Sequence, residues 1–218
     1  MTGKKNKDTA KSDHQEVLDK IVHAAFEKTS EQGWKHLCLS DIANTVDMPL
    51  SDLRRYIENK NDIIAIYNKS LDSKVLTNLA EMDLSLEIPV KDRLFDIMME
   101  RFDLMNQDRE AVSNIVRTLN PDPIDMLENC MRLKNSVTWM LEAAGLDTNG
   151  VSGKIRIKGL AFIYMVTLKT WLDDNSPDLS STMARLDKLL KQAEQAANTF
   201  RMGDRDNKNI IDTPIAAE

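Results

Sequence analysis

Two short apolar segments with a three-residue turn between them constrain this chain more than any other feature. Residues 39–64 read LSDIANTVDMPLSDLRRYIENKNDII. Asp41, Ile42 and Ala43 open a first short helix, Val46, Asp47 and Met48 make a turn, and Leu50 to Ile57 form a second short helix. Lys60, Asn61 and Asp62 start a third. Ile42, Ala43, Val46, Met48, Leu53, Ile57, Ile63 and Ile64 recur at the three- and four-residue steps of one helix face. Asp47 suits the turn because a short polar side chain tolerates a left-handed backbone. Pro49 suits a first helical turn, where no amide is needed. Two short helices crossing through such a turn make a helix-turn-helix, whose second helix enters the major groove of DNA.

A longer helix is expected before it, from near Asp13, where Asp13 and Glu16 have capping-box spacing. Val17, Leu18, Ile21, Ala24, Ala25 and Phe26 give that helix a buried face, and Gly33 ends it. Trp34 and Leu37 are expected to plug a three-helix core. Residues 1–12, with Lys4, Lys5, Lys7 and Lys11, read as a disordered tail or as a basic arm that touches DNA.

The ordered residues Ala24-Ala25-Phe26, Gly33, Ile42-Ala43, Leu53-Arg54-Arg55-Tyr56-Ile57 and Lys60 resemble the DNA-binding domain of the TetR family of bacterial repressors. The resemblance covers about the first third of the chain. Asp47 stands where the family usually has Gly, Pro49 where it has a Ser or Thr cap, and Arg54 where it has the first Tyr of its block. The resemblance implies that the helix from Lys60 ties the DNA module to a regulatory domain. It further implies that the last two helices pair with their copies in a dimer.

Downstream the pattern is helical throughout, so the expected class is all-α, with about nine helices. Apolar runs define helices from Lys60, from about Val90, over about Arg109 to Leu119, over Ile124 to Ala144, from about Ser152 to Leu172, and from Ser176-Pro177 to about Phe200. The expected organisation is a DNA-binding domain over 13–59, a regulatory and dimerisation domain over 60–201, and a disordered tail over 202–218. The helix near 152–172 carries too many large apolar residues for one face of a monomer. This fits a homodimer through about 152–200.

Composition narrows the function. The net charge is −6, with 42% hydrophobic residues and 12 Met. Residues 1–70 hold eleven basic and eleven acidic side chains, so the acidic excess lies downstream, away from any DNA face. No catalytic constellation, Gly-rich phosphate loop or cofactor motif is expected. His14, His23 and His36 fit no zinc spacing, so no metal is expected. Cys38 and Cys130 read as buried, reduced thiols. The longest apolar stretch, Leu160 to Leu168, is about half a membrane span, so no integral membrane segment is expected and the cytoplasm is the expected location.

Contact with a double-stranded operator is assigned to Ser51, Arg54, Arg55, Tyr56 and Lys60. Phe95, Met98, Met99, Phe102, Met131, Trp139, Met140 and Phe162 are candidates to line a cavity for a hydrophobic small molecule, or else form a solid core. The leading reading is a dimeric repressor controlled by such an effector. The alternative rests on Val90 to Leu119 and on LKTWLDDNSPDLSSTMARLDKLL, which are similar to lipid-binding proteins of ubiquinone biosynthesis that share the TetR fold. That likeness implies an accessory protein without DNA binding. A third reading is an interaction adaptor with a vestigial DNA module.

Overall fold

The computed structural model describes residues 2–81, 87–118 and 123–211, and within them the side chains of 13–80, 87–118 and 133–199. The described residues form nine helices and no strand: α1 (Thr2–Gln32), α2 (Leu39–Thr45), α3 (Leu50–Leu53), α4 (Lys60–Glu81), α5 (Val90–Asn106), α6 (Arg109–Thr118), α7 (Pro123–Ala143), α8 (Gly150–Asp173) and α9 (Ser180–Ile211). Among them no helix is long and apolar enough to cross a membrane. The chain divides into two compact units. The first contains residues 1–83 and 100–136, and the second residues 84–99 and 137–218.

The first unit closes around α1. Ile21, Ala24, Ala25 and Phe26 of α1 are buried together with Ile42 and Ala43 of α2, Leu53 of α3, Ile57, and Ile63 of α4. Phe26 and Tyr67 of α4 pack ring on ring at 4.7 Å. Gly33 ends α1 with φ of +82°, a conformation a side chain would strain. A polar network holds the far end of this unit. Arg101 of α5 is almost wholly buried and pairs with Asp72 of α4. Asn68 accepts a second guanidinium bond at 2.8 Å, and Ser136 of α7 donates to the other oxygen of Asp72 at 2.7 Å.

The second unit is built on the α8–α9 pair. Leu160, Ile163, Tyr164, Leu168 and Trp171 of α8 are buried, as are Leu186, Leu189 and Leu190 of α9. Buried Asp174 organises the turn between them. It accepts bonds from the Ser176 hydroxyl and amide and from the hydroxyl and amide of Thr182 at the start of α9. Burial alone raises this carboxyl. The bonds from Ser176 and Thr182 outweigh it and bring it down to about 2. Lys91 of α5 reaches Asp187 of α9 at 3.3 Å.

Several expectations are corrected. Residues 2–12 continue α1 rather than forming a disordered tail: the stretch has no proline, and its one glycine, Gly3, sits in the first turn. Residues 202–211 likewise extend α9, while 212–218 lie outside the described residues. Within the first unit α4 and α6 pack on α1. The last helix starts at Ser180, not at Ser176-Pro177. Leu179 takes φ of +52°, so 176–179 is a turn stapled by Asp174. Cys38 is exposed at the entry to α2 rather than buried. The side chain of Cys130 lies outside those described.

Two measurements check this packing. Asp72→Ala removes the carboxylate that pairs with buried Arg101, and urea unfolding is expected to show a loss of about 3–5 kcal/mol. The double variant Asp72→Leu/Arg101→Met is expected to recover most of that. Asp174 has a folded pKa below its unfolded value. Its contribution, on the order of 2 kcal/mol, is therefore present above about pH 4 and is lost as pH falls toward 2. Asp174→Ala is expected to remove that segment of the pH–stability curve.

Candidate nucleic-acid interface

The turn between α2 and α3 is a helix C-cap built without glycine. Met48 N–H bonds the Ala43 carbonyl at 2.9 Å and Asp47 N–H bonds the Asn44 carbonyl at 3.3 Å, the paired bonds of a Schellman motif. Asp47 occupies the left-handed position with φ of +51°. At the entry to α2, the Asp41 carboxylate accepts the Cys38 amide at 2.9 Å and the Gln32 amide at 3.0 Å. These bonds, the Cys38 one first, hold the Asp41 carboxyl below its ordinary value.

The second short helix is shorter than its sequence pattern predicts. It is α-helical over Leu50–Leu53. The chain then tightens, with Arg55 N–H bonded to Asp52 and Tyr56 N–H to Leu53, before Ile57 bonds Leu53 again. Leu53 and Ile57 point into the core, at 0% and 1% exposure. Ser51, Arg54 and Arg55 fall on the opposite, exposed side. Arg55 lies 3.6 Å from Asp52 and keeps 79% of its side chain exposed. A pair at that distance and exposure holds neither charge firmly. Tyr56 is half-buried and stacks on His14 of α1 at 5.3 Å.

Lys60 is the exception among the five predicted contacts. Its Nζ donates to the carbonyl of Trp34 at 2.8 Å and lies 3.3 and 3.4 Å from those of Lys35 and Leu37. It also sits 5.5 Å from the centre of the Trp34 ring. The chain reversal at Gly33 leaves these carbonyls without helical partners, and the ammonium satisfies them. Lys60 therefore faces inward. Next to it Asn59 and Asp62 form a capping box: the Asn59 side chain accepts the Asn61 amide at 2.8 Å, and the Asp62 carboxylate accepts the Asn59 amide at 3.0 Å. Asn114 of α6 accepts the Trp34 amide at 2.9 Å, across 80 residues of sequence. Pairings this distant leave no local sequence signal. The Asn59–Asp62 spacing was such a signal.

The predicted cavity residues are not brought together as a set. Met98, Met99, Phe102 and Met140 are buried, and Phe95 and Trp139 half-buried. Phe102 belongs to the first unit, whereas Phe95, Met98, Met99, Trp139 and Met140 belong to the second. Phe162 is 65% exposed on α8, because that helix turns its other face inward. The side chain of Met131 lies outside those described. A cleft of about 550 Å³ in the first unit, between α1, α4 and the α5–α6 corner, is lined by none of the eight.

No family model matches the sequence, and no curated protein does. Solved structures do match the fold. A TetR transcriptional regulator from Nitrosomonas europaea superposes with a TM-score of 0.68 at 24% identity, covering 82% of this chain and 98% of that one. A TetR transcriptional regulator from Rhodococcus sp. RHA1 gives 0.58 at 14% identity, covering 83% and 97%. A TetR-family regulator from Streptomyces coelicolor gives 0.56 at 14% identity, covering 90% and 92%. The chain has the fold of TetR transcriptional regulators.

The strained turn offers a direct check. Asp47→Gly is expected to raise stability by about 0.5–1 kcal/mol, since glycine takes the left-handed conformation freely. Asp47→Val is expected to lower it by more than about 1 kcal/mol. Thermal unfolding monitored by circular dichroism reads both.

Proposed function

We propose that this chain is a DNA-binding transcriptional regulator of the TetR type. In this reading it acts in the cytoplasm as a homodimer and represses until a small hydrophobic effector releases it. One observation carries the reading. The helix-turn-helix is fixed from within by Lys60, Asn114 and the buried Leu53 and Ile57, while Ser51, Arg54 and Arg55 are exposed on its outer side. Arginine in that place can take a phosphate or a guanine edge. Tyr56 serves as a phosphate contact at the margin, and Lys60 positions the module.

The homodimer is supported by α8. Val151, Ile155, Phe162 and Met165 are 75%, 65%, 65% and 51% exposed and recur at steps that place them along one stripe. A stripe of large apolar side chains on a helix otherwise packed into its own unit is what half of an obligate interface looks like. The effector is assigned to the second unit, among Phe95, Met98, Met99, Trp139 and Met140. The lipid-accessory alternative rests on the likeness of Val90 to Leu119 and of the segment around the last two helices, and in that likeness the last helix meets a membrane. Leu186, Leu189 and Leu190 are instead buried, and Lys191 is paired with Asp187 at 2.6 Å, so nothing in the packing favours it.

Selection of bound fragments from a random or genomic DNA pool tests the proposal. An enriched palindromic site is expected. Arg54→Ala and Arg55→Ala are each expected to weaken binding to it by about 1–3 kcal/mol, with the unfolding midpoint unchanged. Wild-type affinity in both variants would sink the assignment of the interface.

A further inference from the structure

Arg93, in the first turn of α5, is 5% exposed, and its Nε and Nη1 meet no hydrogen-bond partner. The contrast with Arg101 is direct: both guanidiniums are buried, but Arg101 has Asp72 and Asn68. Arginine does not escape burial by losing its proton, so an unpaired buried guanidinium is among the most unfavourable groups a fold can hold. The nearby carboxylates are otherwise engaged. Asp92 and Asp187 both bind Lys91. Asp96 lies one turn on, and its carboxyl is raised by burial and by Asp92, the opposite of what a neighbouring guanidinium does.

Two more donors in the second unit are unmatched. Thr167 of α8 is fully buried and its hydroxyl has no partner, and the Trp139 indole N–H of α7 is buried without one. The Lys91–Asp187 bridge brings the first turn of α5 to the level of Asp187 on α9. The bonds between Asp174 and Thr182 close the turn that joins α8 to α9. The Arg93 guanidinium only donates, which suits an acceptor-only anion. Ile97, Met98, Met140, Leu168 and Trp171 are buried in the same unit.

We propose that Arg93 anchors the carboxylate of an amphiphilic acid bound inside the second unit, with the acid's apolar body among the aliphatic and aromatic side chains there. The inference deepens the effector reading above. It also changes the effector's chemistry, because the sequence offers no sign that Arg93 is buried and so points to a purely lipophilic ligand.

The test uses the full chain without DNA, so it stands or falls separately from the DNA-binding proposal. Decanoate and 1-decanol, both below their aggregation limits, are titrated by calorimetry and by thermal shift into wild type, Arg93→Met and Arg93→Lys. Decanoate is expected to bind wild type roughly ten- to a hundredfold more tightly than decanol, as a charge-assisted bond requires. Arg93→Met is expected to erase that preference, and Arg93→Lys to retain part of it. Ligand-free Arg93→Met is expected to unfold at or above the wild-type temperature, because an unpaired charge has been removed. Equal binding of acid and alcohol, no binding of either, or an undiminished acid preference in Arg93→Met overturns the proposal. Should Arg93→Met not fold, the wild-type comparison and Arg93→Lys decide.

Discussion

The Lys60 ammonium lies within 3.4 Å of the carbonyls of Trp34, Lys35 and Leu37, and the geometry of the helix-turn-helix depends on it. The chain must reverse after α1 to bring α2 and α3 back across it. That reversal strips three carbonyls of helical partners, and a buried carbonyl without a donor is costly. A single cation at the start of α4 satisfies them. The same contact ties α4 to the corner from which α2 departs, and Asn114 holds that corner from α6. The short helix α3 has only four residues of regular structure, too few to hold its own orientation. It takes its direction from Leu53 and Ile57 packing on a frame that Lys60 and Asn114 make rigid.

Charge is used in two ways in this molecule. On the surface near α3, Arg54 and Arg55 are exposed, and Asp52 lies 3.6 Å from Arg55. In the interior, ionic groups either have full sets of partners or stand without them. Asp174 has four bonds and a carboxyl near 2, and Arg101 has Asp72 and Asn68. Each of these joins segments far apart in sequence or closes a turn. Arg93, equally buried, has unmatched nitrogens. In a chain that satisfies its other buried charges so thoroughly, an unmet one points to chemistry rather than architecture.

The helix-turn-helix was legible because its signals are local. The apolar spacing from Ile42 to Ile57 fixes which face is buried, and Asp47 was readable as a left-handed residue from its own side chain. The all-helical class followed from the same periodicity. What was not legible is long-range. Nothing near Lys60 in sequence marks it as a partner for carbonyls 23 to 26 residues earlier, so it read as one of the operator contacts. Phe162 read as interior because α8 is apolar on both faces, and periodicity alone does not tell the packed face from the exposed one. The start of α9 was misplaced because Ser176-Pro177 has the composition of a helix start, while the left-handed Leu179 that delays it has no sequence signature. The burial of Arg93 and Arg101 is likewise a tertiary fact.

In the proposed reading the exposed arginines meet DNA and the inward lysine holds the frame. The salt dependence of operator binding separates these roles, because each phosphate contact contributes about 0.9 to the slope of log affinity against log salt. The measurement compares wild type, Arg54→Ala and Lys60→Met on one operator over a range of salt. The account predicts a slope reduced by about 0.9 in Arg54→Ala, and in Lys60→Met a lower affinity with the wild-type slope. A reduced slope in Lys60→Met together with an unchanged slope in Arg54→Ala would contradict it.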